Sequence, residues 1–299
     1  MTRLFSVFGD SISTYEGFEP ASDYAVFYQE ENQRRAGISS PEQTWWMQVI
    51  RGFGGELLSN AAWSGSMVDG ACYPCGNCDD RVADLARDGK TPDDILVYYG
   101  INDYGWGSAD AQAAGRSFAT PFCLFAGEAG GPGEEAVAGA APADAAERFG
   151  AAYSQMIARI RKAYPQARVW CFTMLPGRVR DKVASTFTYN FRGASFESYN
   201  AQIVAAARQN GAVACDVASL GFDYEAIEGT HPTARGMRQM AKLMVCAMHR
   251  AQGEDAVLDA ADFAGFESTN PCEAPGRACV DCPHAQSTGN QWTHVCMRA

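Results

Sequence analysis

The chain has 299 residues, 47% of them hydrophobic and 20% charged, with a formal net charge of −11. That length and apolar share suit one well-packed globular domain with a small appendage. The acidic balance argues against a phosphate-backbone footprint and against docking on anionic lipid, so neither nucleic acid nor membrane is an expected partner.

Residues 4–8, Leu-Phe-Ser-Val-Phe, read as a buried strand that ends at Gly9. The run is too short for a signal-peptide core, and no uncharged stretch approaches the ~18 residues of a membrane span. A cytoplasmic protein is expected. Residues 41–51 read as a helix with Pro41 at a permitted first-turn position. A short strand follows at 56–59, then a helix at 81–87 and a continuous apolar strand at 94–99. Residues 104–142 break the alternation: glycines recur among alanines and prolines, which predicts an inserted flexible loop, a flap over any site at its base. Helical spacing of apolar residues resumes over 144–163. Strands are predicted at 167–174 and 212–217, and helices at 196–210 and 233–250. Residues 253–262 are acidic and linker-like. The expected organisation is a domain over 1–250, followed by a linker and cysteine-rich extension over 251–299. Apolar strands alternating with amphipathic helices imply an α/β fold, with about five parallel strands covered on both faces.

Eleven cysteines is an odd and high count. Cys171, Cys215 and Cys246 sit in apolar surroundings and read as small core residues. Cys72, Cys75 and Cys78 have metal-like spacing but no fourth partner nearby. Cys272, Cys279, Cys282 and Cys296, with His284 and His294 among them, are compatible with a structural zinc site, with disulfides or with free thiols.

Four segments carry chemistry. Gly9-Asp10-Ser11 directly follows the first strand, where a turn exposes a serine hydroxyl above the sheet edge. Serine is a weak nucleophile and needs a base. In Glu228-Gly229-Thr230-His231-Pro232 a carboxylate stands three residues before a histidine, close enough to reach Nδ1 and leave Nε2 to take the serine proton. Asp223 is the alternative acid upstream. The Asn102 amide, in Gly100-Ile101-Asn102-Asp103 after the strand at 94–99, can donate to a developing oxyanion. Gly65, in Ser64-Gly65-Ser66, offers an unobstructed backbone N–H. Trp63, Tyr104 and Trp106 flank these segments as candidate substrate-binding residues, with Asp10 beside the serine.

From about Leu4 to His249 the chain resembles the SGNH, or GDSL, hydrolase family. Gly9-Asp10-Ser11 matches its first block, Ser64-Gly65 its second, Gly100-Ile101-Asn102-Asp103 its third and His231 its fifth. The family's usual motif is Asp-x-x-His, and Glu228 stands at the acid position here. The resemblance implies a flavodoxin-like αβα sandwich. It also implies a carboxylic ester hydrolase with Ser11, His231 and Glu228 as triad and Ser11, Gly65 and Asn102 as oxyanion hole. No metal or cofactor is expected, and the partner is a small-molecule ester with a short acyl group, carbohydrate being one option for the alcohol. Rival readings are a thioesterase or lysophospholipase with the same triad, a non-catalytic binding module, and a metal- or redox-regulated protein.

Overall fold

The computed structural model describes residues 2–69, 74–106, 144–179, 184–185, 190–191, 194–268, 285–287 and 294–296. The apolar run after Arg3 forms β1 (Leu4–Gly9), which leads into a 3-10 turn over Ser11–Ser13. Next come α1 (Glu30–Ala36), α2 (Trp45–Gly52), β2 (Glu56–Asn60), α3 (Asp79–Ala83), β3 (Asp94–Tyr98) and α4 (Ile101–Trp106). The second half contributes α5 (Ala145–Ala163), β4 (Arg168–Phe172) and β5 (Gly177–Val179), then the two-residue strands β6 (Ala184–Ser185), β7 (Asn190–Phe191) and β8 (Ala194–Ser195). After them lie α6 (Phe196–Gln209), β9 (Val213–Cys215), β10 (Tyr224–Ala226) and α7 (Ala234–Ala251), and finally β11 (Ala285–Ser287) and β12 (His294–Cys296).

Five parallel strands form the central sheet in the order β2-β1-β3-β4-β9. This is the doubly wound order in which the direction of winding reverses beside β1, and ligands in such sheets gather at the carboxyl ends of the strands. Residues of β1 and β3 are buried almost throughout, as a sheet covered on both faces requires. Phe172 meets the Trp45 ring of α2, while its neighbour Cys171 lies beside Tyr153 of α5. Successive side chains on a strand point to opposite faces. The pair α2 and α7 therefore covers one face, and the pair α5 and α6 the other. No helix among the described residues is long and apolar enough to cross a membrane.

Several boundaries differ from the sequence expectation, for local reasons. The helix expected over 41–51 divides at Thr44, whose extended backbone and side chain cap the N-terminus of α2 through the Met47 N–H. The helix expected at 81–87 starts earlier, with Asp79 and Asp80 in its first turn where carboxylates favour the dipole. Residues 104–106, expected to open the loop, complete α4, and the remainder of that loop lies outside the described residues. Helix α1 was not expected: its seven residues bury only Ala36, so no apolar stripe marks it. The acidic stretch expected as a linker turns back onto α7: Lys242 pairs with Asp262, and Phe263 and Phe266 are buried. Cys171, Cys215 and Cys246 are buried free thiols, as are Cys75 and Cys78. Cys72, Cys272, Cys279, Cys282 and His284 lie outside the described residues.

Helix α7 begins so close to β10 that a Cβ on Gly236 would lie 1.9 Å from the Glu225 carbonyl oxygen. Backbone cannot yield as a side chain can. Gly236→Ala is expected to lower unfolding free energy by about 1–3 kcal/mol or more, read as a lower midpoint in urea. An unchanged midpoint would show that α7 can shift away from β10 without cost.

Candidate active site

Three segments emerge together at the carboxyl ends of adjacent strands. Gly9 pairs in register with Tyr98, so the chain after β1 and the chain after β3 leave the sheet side by side. The segment after β2 joins them: Ala61 N–H donates to the Val7 carbonyl at 2.9 Å and Trp63 N–H to the Gly9 carbonyl at 3.0 Å. Ser11, Gly65 and Asn102 thereby share one end of the sheet, although they stand far apart in sequence.

The fourth segment comes from outside the central sheet. Strand β10 pairs in parallel with β5, and a bridge between Ala226 and Pro232 closes a tight loop over 227–231. Within it Ile227 N–H donates to the His231 carbonyl at 2.8 Å, and the Tyr224 hydroxyl donates to the Thr230 carbonyl. Thr233 caps α7 immediately afterwards, and its hydroxyl donates to Glu225 Oε1 at 2.7 Å. The loop is thus held at both ends, and its histidine has little freedom.

That constraint sets a chain of hydrogen bonds. His231 Nε2 lies 2.8 Å from Ser11 Oγ, and His231 Nδ1 bonds Glu228 Oε1. The same carboxylate oxygen accepts the His231 backbone N–H at 3.2 Å. With Nδ1–H donating to the carboxylate, Nε2 is the unprotonated nitrogen and Ser11 Oγ–H donates to it. Asp223, the alternative acid, is held elsewhere: the Arg178 guanidinium donates to it at 2.6 Å and 3.1 Å, and the Ser268 hydroxyl at 2.6 Å.

Gly65 adopts φ +79°, a left-handed conformation that costs an L side chain but not glycine. It closes a turn in which Ser66 N–H donates to the Trp63 carbonyl. Asn102, near the start of α4, donates from Nδ2 to the Ser66 carbonyl at 2.9 Å. That bond uses one of two amide hydrogens, and the second has no hydrogen-bond partner among the described residues.

The structure places the candidate substrate-binding residues as follows. Tyr104 is buried, edge-on to Phe196 and Tyr199, because α4 turns it into the core. Trp63 is nearly buried against Tyr24, with ring centroids 4.5 Å apart. Asp10 is buried and caps the turn that carries Ser11, accepting the Ile12 N–H at 3.1 Å. None of the three lines an open surface. The Trp106 side chain lies outside the described residues.

One neighbour of the histidine has no sequence signal. The Phe27 ring stacks on His231 with centroids 3.4 Å apart and planes 6° from parallel. Phe27 N–H donates to Thr14 Oγ1 at 3.0 Å, and that hydroxyl donates to the Ser11 carbonyl at 2.9 Å. The segment after the serine thus folds back over the histidine. No spacing rule links Phe27 to a residue some 200 positions later. Among the described residues no cluster of His, Cys, Asp and Glu is arranged to hold a metal ion.

Residues 3–116 match the family model of the GDSL-like lipases and acylhydrolases. The chain is similar in fold to a candidate GDSL-like lipase from Bacteroides ovatus ATCC 8483, at 18% identity and a TM-score of 0.50, covering 84% of this chain and 99% of that one. A candidate GDSL-like lipase from Bacteroides uniformis ATCC 8492 gives 20% identity and a TM-score of 0.50, covering 84% and 96%. No curated protein matches the sequence significantly. The fold is α/β, and the family match supports a hydrolase of the GDSL-like class. Residues 3–116 thus carry the match to the GDSL-like lipase and acylhydrolase family, and the fold is shared with solved structures that bear that family's name.

Two buried carboxyls below the site make a prediction about stability. Burial pushes Asp10 up to about 8 and Asp103 up to about 7, with the neighbouring Asp103 carboxylate adding to the Asp10 shift. Between the ordinary carboxylate range and those values the folded chain holds more protons than the unfolded one, so stability falls as pH rises. The melting temperature is expected to decline from pH 5 to pH 8.5. Asp10→Asn, which copies the neutral form, should make that decline shallower; an unchanged slope would show that Asp10 does not titrate in this window.

Proposed function

We propose that the chain is a carboxylic ester hydrolase that works through an acyl-enzyme on Ser11. The observation that carries this reading is the continuous relay from Ser11 Oγ to His231 Nε2 at 2.8 Å and from His231 Nδ1 to Glu228. Ser11 Oγ attacks the ester carbonyl while Nε2 accepts its proton. Glu228 keeps the imidazole in the required tautomer and offsets the positive charge it gains. The tetrahedral oxyanion is held by the Ser11 and Gly65 backbone N–H groups and the second Asn102 amide hydrogen. His231 then hands its proton to the departing alkoxide, and the alcohol leaves. Water attacks the acyl-enzyme with His231 again as base, which restores Ser11 and releases the acid. Glutamate in place of aspartate is accommodated because the tight 227–231 loop brings the longer side chain back onto its own histidine.

Ser11 is only 5% exposed, and Phe27 covers the histidine beside it. That recess favours a short acyl group on a small-molecule ester. The direct test is a series of p-nitrophenyl esters from acetyl to palmitoyl, run with a fluorophosphonate probe. Rates are expected to fall with chain length, and the probe to label Ser11. Ser11→Ala should keep the fold and lose both activity and labelling. Undiminished labelling in Ser11→Ala would overturn the assignment.

The two carboxylates should separate cleanly. Glu228→Gln is expected to lower kcat by about 100- to 10,000-fold with little change in melting temperature. Asp223→Asn should instead leave kcat near wild type and lower stability by about 3–5 kcal/mol, because it leaves the buried Arg178 without its anion. The reverse pattern in paired kinetics and denaturant melts would move the acid to Asp223.

A further inference from the structure

Arg81, on α3, is completely buried. Burying a guanidinium is costly unless its donors and charge are met. Among the described residues no carboxylate lies within ion-pair distance of it. Its partners are neutral oxygens. Nη2 donates to the Ala61 carbonyl at 2.6 Å and to the Tyr99 hydroxyl at 3.1 Å. Nη1 donates to Ser66 Oγ at 3.1 Å and to the Pro74 carbonyl. The rings of Phe8, Tyr24 and Trp63 surround the cation, with centroids 5.3, 5.3 and 5.5 Å from its central carbon. Such contacts attract a cation without neutralising it.

Three of the four bonded oxygens belong to one stretch of chain. Arg81 holds it where it leaves β2, at Ala61, just past the glycine turn, at Ser66, and again at Pro74. Gly65 lies inside that grip, and the Ser66 carbonyl is the group that orients the Asn102 amide. Ser66 Oγ is further fixed by the Pro74 carbonyl at 2.9 Å and the Tyr99 hydroxyl at 2.8 Å.

We propose that Arg81 is a positioning residue for the oxyanion hole: its guanidinium fixes the turn that presents Gly65 and orients Asn102, and its charge, which no carboxylate among the described residues pairs, favours negative charge developing in front of that turn. The proposal rests on the hydrolase reading above. A compact ammonium cannot make the same forked set of bonds, so lysine should not replace it.

The test is steady-state hydrolysis of p-nitrophenyl acetate by the full chain, with Ser11 labelling by a fluorophosphonate. Arg81→Lys and Arg81→Met are expected to lower kcat by about 10- to 100-fold, as modest misplacement of oxyanion donors does, with KM within about threefold. The Arg81→Lys penalty should shrink to about threefold or less when Asn102 is already alanine, but persist in full beside Glu228→Gln. A general loss of folded protein would act equally in both backgrounds. Ser66→Ala removes one oxygen only and provides the test if the Arg81 variants do not fold; it should lower kcat by about 3- to 10-fold. Wild-type kcat in a folded Arg81→Lys or in Ser66→Ala, or an undiminished penalty beside Asn102→Ala, would overturn the proposal. Absence of Ser11 labelling in the wild-type chain would overturn the hydrolase reading itself, and this proposal with it.

Discussion

Everything at the candidate site depends on one hydrogen bond, between the Ser11 hydroxyl and His231 Nε2, 2.8 Å long and spanning 220 positions of sequence. A bond between two side chains tolerates errors of only a few tenths of an ångström, so both of its ends must be held by backbone. At one end β1 lies inside the sheet between β2 and β3, and Asp10 caps the turn on which the serine sits. At the other, the bridge between Ala226 and Pro232 and the threonine cap of α7 leave the histidine loop little play. A separate two-stranded ladder, β10 on β5, carries that loop to the sheet's edge.

The electrostatics of the site follow from the same packing. Two carboxyls, Asp10 and Asp103, are buried where water cannot stabilise their charge, and both are pushed towards neutral forms. Asp103 is the better provided, accepting the Val68 and Asp69 N–H groups at 3.0 and 2.8 Å. A buried guanidinium stands behind the glycine turn, with neutral acceptors and aromatic faces around it among the described residues. Beneath the serine, burial thus works against carboxylate charge, and a fixed positive charge stands beside it.

The sheet was legible in the sequence because its strands are uninterrupted apolar runs, and 94–99 reads as strand from composition alone. Ser11, Asn102 and His231 were legible because each stands in a motif at the end of such a run or at the lip of a helix. The short charged helix α1 escaped because it buries almost nothing. Residues 253–262 were read as a linker from their charge, which gives no hint that Phe263 and Phe266 beyond them anchor the segment. The burial of Tyr104 and Trp63 was not legible for a related reason: position beside a motif says nothing about which side of the backbone a ring leaves from. Phe27 and Arg81 reach the site only through the third dimension, and neither has a neighbour in sequence that betrays it.

The hydroxyl of Thr14 joins two parts of the site that are usually considered apart. It donates to the Ser11 carbonyl and accepts the N–H of Phe27, whose ring lies flat on the histidine. Residues 14–27 therefore form a short strap, fastened at the serine and resting on the imidazole. Any local opening of this strap must uncover the ring and slacken the serine's backbone in the same event. Amide exchange at Phe27 would thus report the lifetime of the assembled serine–histidine pair, and a ligand seated under the strap should slow that exchange without touching Phe27 itself.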